Sequence, residues 1–190
     1  YYSRARNLLA AARSVMQEHG GELPRAVAEL RRLPGIGRYS AGAIASIAYG
    51  ATEPAVDGNI VRVLTRLFCL EGDPKRAPLA ERIWELARRL IPVGEARDFN
   101  QALMELGATC CTPRSPSCER CPVSARCTAW QRDEVARFPA ASRRPTPVDE
   151  ARAAAVVWRK GKVLAVRQPA SATRWAGMWM FPDTPYLPGA

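Results

Sequence analysis

Cys111, Cys118, Cys121 and Cys127 follow one another in the spacing C-x6-C-x2-C-x5-C, and the chain must fold so that these thiols meet. Four thiolates this close together can converge on one metal centre, and an all-sulfur set suits tetrahedral zinc or an iron–sulfur cluster. Structural zinc usually draws its ligands from two short C-x2–4-C knuckles. Here only the Cys118–Cys121 pair is that close. A cubane with four separated iron corners fits the wider layout better, with zinc, disulfides or free thiols as the alternatives. The intervening Thr112-Pro113-Arg114-Ser115-Pro116-Ser117 is turn-forming and cannot hide the thiols in a helix. Two cysteines read differently. Cys110 breaks the register if chosen as ligand, and Cys69, in the apolar run Val63–Leu70, reads as a small buried hydrophobe on a helix.

Charge narrows the partner. The 190 residues hold 28 Lys+Arg against 18 Asp+Glu, a net charge of +10, and most of the excess is arginine, whose fork suits phosphate. A polyanion partner follows, nucleic acid first. No apolar run approaches a membrane span of about 20 residues, so a membrane partner is not expected. The first residues do not form a signal peptide. A metal-type cysteine set without a secretory signal points to a reducing cytoplasm.

Apolar periodicity predicts helices over 3–18, 25–32, 39–49, 59–70, 76–91 and 95–108. Gly20-Gly21 stops the first. No strand pattern occurs before residue 150, so residues 1–137 read as an all-α domain, with the cysteine loop at 110–128. Residues 138–150 carry three prolines and read as a linker. Beyond it, Ala153–Trp158 and Val163–Arg167 are β-prone and flank Arg159-Lys160-Gly161-Lys162, a hairpin pattern. Two strands do not stand alone, so 151–190 reads as the start of a second domain. The chain opens on Tyr1 directly in a helical pattern, which suggests a fragment cut at both ends. Trp84 reads as a core or half-core residue, and His19 as a solvated helix-end residue.

Two short motifs carry chemistry. Leu33-Pro34-Gly35-Ile36-Gly37 lies between two helices. Its glycines permit a tight turn and a close backbone approach, and the N–H groups opening the next helix, at Arg38, can bind a phosphate oxygen. Such contacts position DNA without reading its sequence. An ordinary interhelical turn is the plainer alternative. Val56-Asp57-Gly58-Asn59 precedes another helix. Asp57 or Asn59 is first of all an N-cap there, but a carboxylate at a helix start also suits stabilising a cationic transition state.

Helix-hairpin-helix, V-D-G-N and C-x6-C-x2-C-x5-C in this order resemble the endonuclease III superfamily of base-excision glycosylases, and within it the MutY-type adenine DNA glycosylases. Supporting stretches are Tyr1-Tyr2-Ser3-Arg4-Ala5-Arg6-Asn7-Leu8, Asn100-Gln101-Ala102-Leu103-Met104-Glu105-Leu106-Gly107-Ala108 and Trp175-Ala176-Gly177-Met178-Trp179-Met180-Phe181-Pro182. The resemblance implies a mainly α helix-hairpin-helix glycosylase with a 4Fe–4S cluster on Cys111, Cys118, Cys121 and Cys127, followed by the incomplete start of a Nudix-like α+β domain. It implies hydrolysis of the N-glycosidic bond of adenine mispaired with 8-oxoguanine or guanine in duplex DNA. Asp57 would stabilise or capture the oxocarbenium-like sugar, with Tyr39 and Asn59 lining the sugar side. Tyr1 or Tyr2 would probe the duplex. Arg4, Leu33, Gly35, Gly37, Arg38 and, on the cluster loop, Arg114 would contact DNA. Lyase-active relatives carry a lysine where this chain has Tyr39, so a monofunctional enzyme is implied.

In the family the general-acid glutamate lies upstream of Tyr1, and Glu53 does not match its position. General acid catalysis is worth about 10²–10⁴-fold, so this piece alone is expected to cleave weakly or not at all. The expected setting is a monomer in the bacterial cytoplasm, associated with the nucleoid. A non-catalytic DNA-binding module with a structural metal site, another endonuclease III-like glycosylase and a zinc-stabilised interaction domain are the competing readings.

Overall fold

The structure, a computed structural model, describes residues 2–140 and 146–186. The chain divides into two compact units, Tyr1–Arg143 and Arg144–Ala190.

The first unit is helical. Helices α1 (Tyr2–Glu18), α2 (Val27–Leu30) and α3 (Arg38–Ala43) lead into α4 (Gly58–Leu67), α5 (Leu79–Leu90), α6 (Ala96–Glu105) and α7 (Thr128–Gln131). Both α3 and α6 continue as π-helical turns, Ile44–Ala48 and Leu106–Cys110, where the sequence pattern predicts unbroken helices. Gly20 and Gly21 end α1 at φ of 64° and 89°, and the Gly21 N–H returns to the Val15 carbonyl at 3.0 Å. One apolar cluster joins Ala11 and Val15 of α1 to Leu30, Leu33, Ala41 and Ala45. A second joins Val56, Ile60, Leu64 and Leu70 to Leu79, Ile83 and Ala87 of α5. Trp84 packs half-buried on the second cluster, as its helical spacing predicts.

Two residues sit differently from their sequence reading. Cys69 is not in α4 but just past its end, at φ 48°, a position glycine usually takes. The Leu70 N–H bonds back to the Thr65 carbonyl at 3.0 Å, closing the helix so that Leu70 can enter the core. Cys69 is therefore half-buried and set by its backbone role. Phe138, placed in the linker by composition, is buried in the first unit. Its carbonyl accepts from Arg66 Nε at 2.9 Å.

The second unit holds three antiparallel two-stranded ladders: β1 (Arg152–Ala154) with β6 (Asp183–Pro185), β2 (Trp158–Arg159) with β3 (Lys162–Val163), and β4 (Val166–Arg167) with β5 (Trp179–Met180). Trp158 faces Val163 across the expected hairpin. Lys160 and Gly161 both have positive φ, 48° and 74°, the pattern of a type I′ turn. Each of the two predicted strands breaks into shorter pieces, and β1 pairs with a strand thirty residues away, at Arg152↔Pro185, which local pattern cannot show.

Among the described residues no helix is long and apolar enough to cross a membrane.

The tightest helix contact is at Gly42, where a Cβ would lie 2.0 Å from the Pro54 carbonyl oxygen. Both partners are backbone, so Gly42→Ala should cost about 3 kcal/mol, toward the upper end for an overpacked core. Gly37→Ala, whose Cβ would meet nothing within 4 Å, should stay within about 0.5 kcal/mol. Equilibrium urea unfolding of the two variants measures the difference. Equal midpoints would show that α3 does not rest on the Pro54 backbone.

Candidate functional site

Asp57 caps α4 from an extended backbone. Its Oδ1 accepts the Ile60 N–H at 2.8 Å, and its Oδ2 accepts Asn59 Nδ2 at 2.9 Å. Both oxygens of the half-buried carboxylate are thereby held in one orientation. The chain of contacts continues. Asn59 Oδ1 accepts from Arg62 Nη2 at 2.8 Å, and that nitrogen also donates to the Gly107 carbonyl at 2.7 Å. Arg62 Nε donates to the Cys111 carbonyl at 2.7 Å. Gly107 has to be glycine here, since a Cβ would lie 2.6 Å from that of Asn59.

One turn further along α4, the buried Arg66 (4% exposed) grips the same loop. Nη1 donates to the Thr112 carbonyl at 2.8 Å and lies 3.4 Å from Cys111 Sγ, while Nη2 donates to the Pro113 carbonyl at 3.2 Å. The helix that opens at Asp57 thus carries two arginines, four residues apart, tied to the start of the cysteine loop.

Asn100, on α6 and 2% exposed, fixes the segment that delivers Asp57. Its Oδ1 accepts the Ala55 N–H at 3.2 Å. Its Nδ2 donates to the Glu53 carbonyl at 2.9 Å and to Ser46 Oγ at 3.0 Å. Arg62, Arg66 and Asn100 were not singled out by the sequence. The available signal was two arginines at helical spacing among apolar positions of α4, and an asparagine on the inner face of α6.

The four predicted ligands, Cys111, Cys118, Cys121 and Cys127, line one pocket beneath Val63, Arg66 and Leu67 of α4. Burial, then the Cys111 and Cys127 thiols, push the Cys118 pKa up, with Arg66 opposing. Burial also raises that of Cys127, against the Trp130 and Ala129 N–H groups at the start of α7. Ligands must be deprotonated, so loading this pocket releases protons. Among the described residues no three His, Cys, Asp or Glu side chains gather to ligate one ion. Thiols spread around a shared pocket suit a polynuclear cluster, with an iron at each corner, better than a single zinc. Arg66 supports the fit. Its partners above are carbonyl oxygens and a sulfur, none a carboxylate, so a thiolate-ligated cluster supplies the negative charge that its buried guanidinium lacks.

The remaining predicted residues fall into two groups. Tyr39 is 41% exposed and stands one helical turn before Gly42, the residue packed on Pro54. Gly35 has φ 79° and lies against Asn7, while Gly37, the N-cap of α3, faces open space. Arg4 lines a groove beside Gly35, and Arg114 is exposed on the cysteine loop. Two assignments need correcting. Leu33 is 2% exposed and anchors the hairpin from beneath, so its side chain cannot meet a ligand. Arg38 Nη1 donates to both Glu81 carboxylate oxygens at 2.8 Å, and the guanidinium stacks on Trp84 at 4.1 Å, which commits it to α5 and leaves only its backbone at the helix start. Tyr1 lies outside the described residues, and Tyr2 enters as the first residue of α1.

Comparison with known proteins agrees with this arrangement. Residues 18–47 match the helix-hairpin-helix motif family, and residues 111–127 match the iron–sulfur binding domain of endonuclease III. An adenine DNA glycosylase of Homo sapiens is 37% identical over 99% of this chain and 43% of its own length. The chain thus spans less than half of the curated relatives first matched. A thermostable thymine-DNA glycosylase superposes with TM-score 0.61 at 38% identity, covering 68% of this chain and 59% of that one. A non-covalent endonuclease III–DNA complex gives TM-score 0.59 at 28% identity, over 69% and 59%.

Asn100→Leu leaves the Ala55 N–H and the Glu53 carbonyl without their Asn100 partner, each loss costing about 1–3 kcal/mol. A fall in melting temperature on thermal unfolding is the expected result. An unchanged melting temperature would separate Asn100 from the segment leading to Asp57.

Proposed function

The chain belongs to the adenine DNA glycosylase family, and we propose that it serves base-excision repair by hydrolysing the N-glycosidic bond of adenine opposite 8-oxoguanine or guanine in duplex DNA. The observation that carries this reading is the Asp57 carboxylate, held through both oxygens at the start of α4, after a segment whose Pro54 lies against Gly42 of the helix that follows a glycine hairpin. A glycosidic bond inside a stacked duplex is out of reach, so the adenine nucleotide is extruded. As the base departs, positive charge grows on the sugar. Asp57 offsets that charge or captures C1′, the role of the second carboxylate in glycosidases. Asn59 keeps its oxygen aimed, and Tyr39 borders the sugar. With a phenol rather than an amine at position 39, no Schiff base forms, which supports hydrolysis without strand cleavage.

Protonation of the leaving adenine belongs to a glutamate in this family. Glu53 does not replace it, because its carboxylate is paired with Arg88 at 3.3 Å. The duplex is gripped through the backbone of Gly35, Gly37 and Arg38, where the open surface at Gly37 admits a phosphate to the N–H groups opening α3. Arg4, Tyr2 and Arg114 add contacts along the strand. The cluster supplies no chemistry to the reaction; it holds the Arg114 loop, and through Arg62 the Asp57 turn, in shape. The protein acts as a monomer in this reading.

Single-turnover assays on the full-length protein with 8-oxoguanine·A duplexes should show adenine release, and Asp57→Asn should slow it by about 10²–10³-fold, as loss of one aligned electrostatic partner does. Borohydride should trap no adduct. Release of thymine or uracil instead of adenine would overturn the base assignment, and strong trapping the hydrolytic one. Gly37→Phe should weaken binding to matched and mismatched duplexes alike. An effect confined to the mismatch would remove the hairpin from the phosphate grip.

A further inference from the structure

We propose that Cys110 is a reserve ligand of the cluster, able to take over the iron corner of Cys121. The inference rests on the iron–sulfur assignment above and adds a fifth residue to its four thiols. Successive residues of a helix diverge by about 100° around the axis, so Cys110 and Cys111 should not both face one pocket. They do. The π turn ends at Cys110, and Cys111 leaves the helix with φ −84° and ψ 55°, so the helical spacing no longer holds between the two. Cys110 lines the pocket together with Cys111, Cys118, Cys121 and Cys127.

Its position is fixed at both ends. The Cys110 thiol donates to the Ser117 carbonyl at 3.4 Å, and the Ser117 N–H returns to the Cys110 carbonyl at 3.0 Å. That tie places the thiol beside the residue preceding Cys118. The Cys127 thiol is already engaged, donating to the Arg66 carbonyl at 3.7 Å. Cys111 is the less exchangeable neighbour, since Arg66 Nη1 sits 3.4 Å from its sulfur and its carbonyl is held by Arg62. Cys121 lies between two short 3-10 turns, Cys118–Arg120 and Ser124–Arg126, with no such clamp on its sulfur among the bonds described. In the exchange the iron–sulfur bond to Cys121 breaks and one to Cys110 forms. The Cys110 thiol gives its proton to water, the freed Cys121 thiolate takes one up, and no electron moves.

The test uses the full-length protein and the variants Cys121→Ala, Cys110→Ala, Cys118→Ala and Cys110→Ala/Cys121→Ala. Each is loaded anaerobically with ferrous iron and sulfide, and iron, labile sulfide and visible absorbance per chain are measured, with helical circular dichroism as the check on folding. Cys121→Ala should keep about half or more of the wild-type iron, and the double variant should hold about tenfold less, as empty as Cys118→Ala, because a cluster needs its full ligand set. In iron-loaded Cys121→Ala, Cys110 should resist alkylation by iodoacetamide, while in loaded wild type it should react and Cys121 should not. A Cys121→Ala as empty as Cys118→Ala, a double variant as full as Cys121→Ala, or a loaded Cys121→Ala whose Cys110 alkylates freely would each overturn the proposal. Wild type that takes zinc and no iron would end the cluster assignment itself; iron in wild type alone would end only the reserve ligand.

Discussion

Two guanidinium groups on one face of α4 determine much of what the first unit can be. Arg62 and Arg66 spend their donors on the carbonyls of Gly107, Cys111, Thr112, Pro113 and Phe138, segments that no apolar contact could orient so specifically. Burying a cation costs several kcal/mol unless its hydrogen bonds are made and its charge is balanced. The carbonyls meet the first need. The thiolate cage, with Cys111 Sγ against Arg66, meets the second. Folding of the helix and assembly of the cage are consequently one problem, and the Asp57 turn inherits its rigidity from the solution, since Asn59 hangs on Arg62.

The same region shows how backbone proximity substitutes for side-chain bulk. Gly42 lets α3 lie on the Pro54 carbonyl, and Gly107 lets α6 lie on Asn59. Between them Asn100 stitches the stretch from Glu53 to Ala55 to both helices. The catalytic carboxylate proposed here is therefore delivered by a short segment pinned at successive positions, and none of the pins touches the carboxylate itself. Preorganisation of this kind matters because charge stabilisation is effective only when the stabilising group need not move as charge develops.

Much of the helical layout was legible because amphipathic periodicity and glycine stops are local signals: α1, α4, α5 and α6 fall where the apolar spacing of Leu8, Ile60, Ile83 and Leu103 puts them. The cysteine spacing and the V-D-G-N cap were legible for the same reason. What escaped was non-local. Arg38 looks like a phosphate ligand until Glu81 and Trp84, some forty residues on, are folded beside it. Leu33 is part of the hairpin motif, but burial against α1 decides its role. Cys69 was misread because an apolar run says nothing about where a helix must turn left-handed to bury Leu70. The broken strands of the second unit reflect pairings such as Arg152 with Pro185 that only the folded chain defines.

The widened turn at the end of α6 has a consequence for how this architecture can change. In a continuous α-helix the Gly107 carbonyl would accept from the Cys111 N–H; here that N–H goes instead to Leu106, at 2.7 Å. The extra residue in the ring liberates an acceptor, and Arg62 occupies it. Removing a single residue between 106 and 110 would restore regular winding, reclaim that oxygen for the helix and leave the arginine one partner short. The length of this segment is thus constrained to the residue by an electrostatic tie on a neighbouring helix, so insertions and deletions should be far less tolerable here than in loops of equal exposure.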